Sequence, residues 1–109
     1  IAEEILQQRG CKVFRVGDVD GRLDLEEVLK VLAEQGITRL MIEGGPKVAG
    51  AIAAAGLVDE LAVLRGEKTI GAGGIAPLEG MPLDGFTGQL HARGSEKLGP
   101  DTLEMFERT

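Results

Sequence analysis

The tetrapeptide Glu43-Gly44-Gly45-Pro46 is where residue types and spacing in this 109-residue chain could do chemistry. The apolar run Leu40-Met41-Ile42 precedes it, and a helical segment of small residues follows as far as Gly56. A strand, a Gly-Gly turn and a helix opening on proline leave unpaired backbone N–H groups at the carboxyl edge of the strand. That is where α/β proteins hold phosphates. Pro46 suits the first helical position, because the N–H it lacks would have no intrahelical partner there. Gly44 and Gly45 carry no Cβ, so the backbone can turn sharply and a ligand can come close. The segment matches neither common phosphate signature. Lys47 follows a proline and precedes Val48, unlike the Gly-Lys-Ser/Thr of a P-loop, and Gly44, Gly45 and Gly50 do not have the dinucleotide spacing. Two readings of residues 44–51 stay open on spacing alone. One is an anion-holding turn; the other is a tight connection in which Gly50 and the alanines serve close packing. Glu43 divides the same way. A carboxylate ending an apolar strand is costly unless paired or solvated, so it either accepts from a polar ligand, partners a helix terminus or sits at a wetted strand end.

Other chemistries find less support. His91 is the single histidine and lies far along the chain from the glycine turn, so a surface or packing role is expected. Ser95 has no histidine beside it in sequence, and no nucleophilic triad is indicated. Asp59 and Glu60 are neighbours on an expected strand and so face opposite sides, which argues against paired acid/base work. One His and one Cys without ligand spacing do not make a transition-metal site. No catalytic residue is assigned.

Bulk properties narrow the classes further. The formal charge is −6 and the pI about 4.8, with twelve basic residues scattered among eighteen acids. That balance offers no basic stripe for nucleic acid and little attraction to a membrane surface. No apolar run approaches the ~20 residues of a membrane span, and no signal peptide is expected. The lone Cys11 fits a reducing, cytoplasmic setting and a half-buried place at a strand start. The chain opens on Ile1 within a helical pattern, which suggests a piece of a longer polypeptide.

The elements that must position the turn follow from periodicity. Ile1, Ala2, Ile5 and Leu6 have helical spacing, closed by Gly10. Residues Lys12 to Val16 read as a strand and Gly17 to Gly21 as a loop. Asp24 with Glu27 three residues on is a capping-box pattern. It opens a helix with the apolar stripe Leu25, Val28, Leu29 and Leu32, ended by Gly36. Arg39 to Glu43 reads as a short strand covered on both faces. Leu57 to Leu64, Phe86 to Arg93 and Thr102 to Arg108 read as further strands, the last two forming a hairpin around residues 94–101. The glycine-rich stretch from Gly66 to Gly85 reads as a functional loop punctuated by Ile70, Ile75 and Leu78. The expected architecture is α/β, with a mixed sheet mostly parallel and an antiparallel C-terminal hairpin.

Taken together, Ile42-Glu43-Gly44-Gly45-Pro46, the segment Ala49 to Leu57, Val58-Asp59-Glu60-Leu61 and Thr69-Ile70-Gly71 resemble the reductase domain of the bacterial bifunctional riboflavin biosynthesis proteins. The resemblance runs from Gly21-Arg22-Leu23-Asp24-Leu25 to Leu98-Gly99-Pro100-Asp101, and the Glu-Gly-Gly-Pro and Val-Asp-Glu-Leu pieces at this separation carry most of it. It implies a fold like dihydrofolate reductase, of which residues 1–109 form the C-terminal portion, a partial domain. The implied reaction is NADPH-dependent reduction of 5-amino-6-(5-phosphoribosylamino)uracil, a phosphorylated small molecule, to its ribitylamino form. By position, Glu43 matches the substrate-contacting glutamate. Gly44, Gly45, Pro46, Lys47, Val48, Ala49, Gly50 and Ala51 match the segment that holds the cofactor phosphates. Analogy with dihydrofolate reductase suggests a cis Gly44–Gly45 peptide. A homodimer and an N-terminal deaminase in the parent chain are also implied. One departure is Arg65-Gly66-Glu67-Lys68-Thr69, where the family usually carries an apolar-proline stretch. The alternatives are a reductase of the same fold acting on another pterin or pyrimidine, and a non-catalytic dimerising fragment.

Overall fold

A computed structural model describes all 109 residues, and they divide into two compact units, Ile1–Leu40 and Met41–Thr109. The first unit opens with helix α1 (Ala2–Gln8), whose Glu3 and Glu4 lie in the first turn where the helix dipole favours acids. A two-stranded ribbon, β1 (Asp18–Val19) and β2 (Arg22–Leu23), turns through Asp20 and Gly21, both at positive φ. Asp-Gly in that position is the pairing that two-residue hairpins prefer. Helix α2 (Leu25–Glu34) follows at once.

Asp24 caps α2 as its residue type indicates, accepting from the Glu26 and Glu27 N–H groups. Glu27 does not close a capping box on Asp24. Its Oε2 accepts from the Gly17 N–H at 2.9 Å, while the Asp24 N–H donates to the Gly17 carbonyl, also at 2.9 Å. The same two residues therefore tie the base of the ribbon to the start of the helix.

The second unit contains helix α3 (Pro46–Ala54), strand β3 (Glu60–Arg65), the short helix α4 (Leu83–Thr87), and strands β4 (His91–Leu98) and β5 (Asp101–Glu107). The three strands form one sheet in the order β3-β5-β4, antiparallel throughout, with an irregularity between Ala92 and Gly94. Its core is small: Ala53, Leu78 and Phe86 are buried together, with Ala49, Val58, Leu61, Met81, Leu83 and Leu90 packed around them. Ile52 is the remaining buried apolar side chain.

Three expectations are corrected. The sheet is not mostly parallel: β3 takes β5 as its antiparallel neighbour, and no parallel ladder forms. Residues 12–16 and 39–43 are not strands. A strand exists only through the ladder bonds of a neighbour, and no segment pairs with either of these despite their composition. Phe86 lies in α4 rather than in a strand, because burying its ring in the core outweighs the β-preference of an aromatic residue. The C-terminal hairpin is present, but its strand and turn are shifted: residues 94–98, read as connection, belong to β4, and the chain turns at Gly99 and Pro100 between the paired Leu98 and Asp101.

Candidate functional site

Gly45 is the N-cap of α3, in extended conformation, with no side chain to cap the first turn. Pro46 takes the first helical position and has no N–H. The Ala49 N–H returns to the Gly45 carbonyl at 3.1 Å, while no side chain or carbonyl of the chain takes the N–H groups of Lys47 and Val48. Two donors at the positive end of the helix dipole thus point outward. The Gly44–Gly45 peptide is trans, as are all the others, so the cis expectation is overturned. The turn is made instead by ordinary extended backbone at Gly45, φ −68° and ψ −174°, running straight into the helix.

The glycines at this turn have different physical reasons. A Cβ on Gly44 would lie 3.0 Å from the Val48 Cβ, so the first turn of the helix would have to give by a few tenths of an ångström to admit it. A Cβ on Gly45 would meet nothing within 4 Å. The space beside Gly45 is therefore open to a ligand, and a side chain there would fill it without disturbing the chain. Gly50 is buried against the backbone of Glu79 and does not face that space. Ala49 and Ala51 are half-buried, and Ala49 packs on the core.

Beside the turn lies a groove of about 550 Å³, lined by Gly45, Pro46, Lys47, Val48, Ile75, Ala76, Leu78 and Glu79. One wall is the first turn of α3; the other is the glycine-rich stretch read as a functional loop. Of that loop's apolar residues, Leu78 is buried in the core, whereas Ile70 and Ile75 are each 85% exposed. The lining is chiefly apolar, with Lys47 and Glu79 as its charged members. Glu43 is exposed just before the turn. Structure thus gathers Gly45 to Val48 on one groove, sets Ala49 to Ala51 behind them, and leaves Glu43 free to meet solvent or a ligand. The Ile75–Glu79 wall carries no sequence motif; the only signal for it was the apolar Ile75 and Leu78 interrupting the glycine-rich stretch.

The remaining polar residues serve the sheet. The Arg65 guanidinium is held above its ordinary pKa by its hydrogen bond to Glu104, and that of Arg93 by its hydrogen bond to Glu107. Arg108 bridges the start of β3, pairing with Asp59 at 3.3 Å and donating to the Gly56 carbonyl. His91 and Ser95 are exposed on β4. No three His, Cys, Asp or Glu side chains come together as a metal site. No helix is long and apolar enough to cross a membrane. A second hollow of about 410 Å³ lies on the β4–β5 surface beside Arg93 and Met105, away from the glycine turn in sequence and in lining.

Residues 1–103 match the model of the RibD C-terminal domain. The riboflavin biosynthesis protein RibD of Escherichia coli (strain K12) is 37% identical over 83 residues, covering 74% of this chain and 23% of that protein. The protein of the same name from Bacillus amyloliquefaciens is 46% identical over 52 residues, covering 48% of this chain and 14% of that protein. The chain therefore spans less than a quarter of the length of these relatives. With nearly its whole length matched by the family model, the chain belongs to the RibD C-terminal domain family.

Proposed function

We propose that this chain contributes the cofactor-phosphate site of an NADPH-dependent reductase in riboflavin biosynthesis. The observation that carries the reading is the pair of unclaimed N–H groups at Lys47 and Val48, opening on a groove beside a glycine with clear space where a side chain would be. The residues fit a dinucleotide. The helix end supplies donors and positive potential for phosphate, and the apolar wall of Ile75, Ala76 and Leu78 suits a flat ring system or a sugar face. NADPH supplies the hydride, and the substrate is 5-amino-6-(5-phosphoribosylamino)uracil. In this reading Gly44 to Ala51 form the cofactor segment, Gly45 to Val48 by contact and Ala49 to Ala51 by packing. Glu43, exposed beside the turn, orients the substrate by accepting its hydrogen bonds. The chain's task is to place two reactants and exclude water, because the cofactor carries the chemistry. The dihydrofolate reductase-like whole domain, a homodimer in the cytoplasm and a fused deaminase belong to the same proposal.

Magnitudes set the expected affinity. A helix terminus contributes about 0.3–1 kcal/mol to anion binding at an exposed site. A millimolar complex needs about 4 kcal/mol, so the groove wall must supply most of the rest, and binding by these 109 residues should fall roughly between 0.1 and 1 mM. Titration of nicotinamide fluorescence measures this. Gly45→Val should abolish saturable binding while lowering stability by about 1 kcal/mol, the typical size of an N-cap change. Unchanged binding in the folded variant would remove the phosphate site from this turn.

A second reading is favoured by residues 12–16 and 39–43, strand-like in composition yet without ladders. In it the chain is a non-catalytic, dimerising fragment. Absence of NADPH binding together with a stable dimer in sedimentation would select it. A reductase of the same fold acting on another pterin or pyrimidine is separated by product analysis.

A further inference from the structure

We propose that the backbone contact between Gly50 and Glu79 sets the width of the groove beside α3, making Gly50 a positioning residue for whatever the groove holds. The inference rests on the cofactor reading above and names the device that shapes that site. Gly50 is buried on the second turn of α3, and an ideal Cβ there would lie 2.3 Å from the Glu79 carbonyl oxygen, 2.9 Å from its nitrogen and 3.1 Å from its carbonyl carbon. All three atoms are main chain, so no side-chain rotation relieves the overlap. From the other side, the Glu79 N–H donates to the Pro46 carbonyl at 3.0 Å. The loop is thus pinned to α3 twice within one residue, once by a hydrogen bond and once by contact that only glycine permits.

What this pinning positions is the outer wall. Leu78, next to Glu79, is anchored in the core, and Ile75 and Ala76, just before it, face Gly45, Pro46, Lys47 and Val48 across the groove. Nothing else in the hydrogen bonds of residues 75–78 ties them to α3. A methyl group at position 50 must push Glu79 back by about an ångström to reach ordinary contact. The wall then moves with Glu79, away from the free N–H groups. A site loosened by about 1 Å loses much of its complementarity. Gly50 therefore acts on the ligand through the loop and does not touch it.

The test combines hydrogen exchange and NADPH titration on the full chain. In the wild type, NADPH should slow exchange of residues 75–79 together with the first turn of α3. Gly50→Ala should weaken NADPH binding by roughly tenfold and speed exchange in residues 75–79 alone, leaving β4 and β5 as they were. Ile75→Asp, at a site exposed enough to leave folding untouched, should weaken binding to a similar degree and keeps the wall testable should Gly50→Ala fail to fold. Protection of α3 without residues 75–79 overturns the inference and leaves the cofactor reading standing. So does a folded Gly50→Ala variant with wild-type affinity. A wild type that binds no NADPH at millimolar concentration removes both together.

Discussion

At the scale of single residues, the glycine turn shows how one residue type serves unlike purposes. Gly44 avoids Val48, Gly45 leaves an open approach and Gly50 admits the backbone of Glu79. Spacing left Gly50 open between holding phosphate and close packing, and only the family resemblance put all three in one cofactor segment, because a glycine's reason is set by what stands opposite it. Asp24 is legible from its type and place, and its two N–H acceptances make Asp24→Ala a clean test. That change should lower stability by about 1 kcal/mol in urea unfolding, with no effect on NADPH binding. The arginine pairs predict a sign for pH. A cation whose pKa is raised on folding contributes stability below its unfolded value and loses it only as pH rises through the folded one. For Arg65 and Arg93 that window lies in strong alkali. The difference in urea midpoint between the wild type and Glu104→Gln should therefore stay constant from about pH 6 to 9. A difference that changes across that interval would assign a titrating group other than Arg65 to the pair.

At the scale of elements, helices were far more legible than strands. α1, α2 and α3 all end in the same motif, with a glycine following the C-cap. For α3, the Gly56 N–H bonds the Ala53 carbonyl and the Leu57 N–H bonds the Ile52 carbonyl. Gly56 has φ +70°, and a Cβ there meets no neighbour within 4 Å. Gly56→Ala should thus cost about 1 kcal/mol from backbone conformation alone, read from the shift in denaturation midpoint. Such stop signals are local and can be read from a few residues. Residues 12–16 and 39–43 were misread as strands because a ladder depends on a distant partner, and none pairs with them. The Asp20-Gly21 hairpin was equally local and could have been found, but the five residues Gly17 to Gly21 read simply as loop chemistry.

At the scale of the whole molecule, the buried set Ile52, Ala53, Leu78 and Phe86 is small for 109 residues, while Leu64, Ile70 and Ile75 are 69%, 85% and 85% exposed. Phe86→Ala removes the largest buried side chain, at a cost of about 3–5 kcal/mol. That approaches the whole stability of a small domain, so its thermal transition should broaden or vanish in calorimetry. What could be read from the sequence was local: where α1, α2 and α3 stop, the Asp24 cap, the acidic balance, and the opening of α3 on Pro46 directly after Gly44-Gly45. These depend on backbone sterics and on bonds spanning a few residues. Tertiary structure alone decided the antiparallel order β3-β5-β4, the inward turn of Phe86, and the seating of Glu79 over Gly50. Each of these depends on which distant segment lies opposite, and the free energy of a contact belongs to both partners.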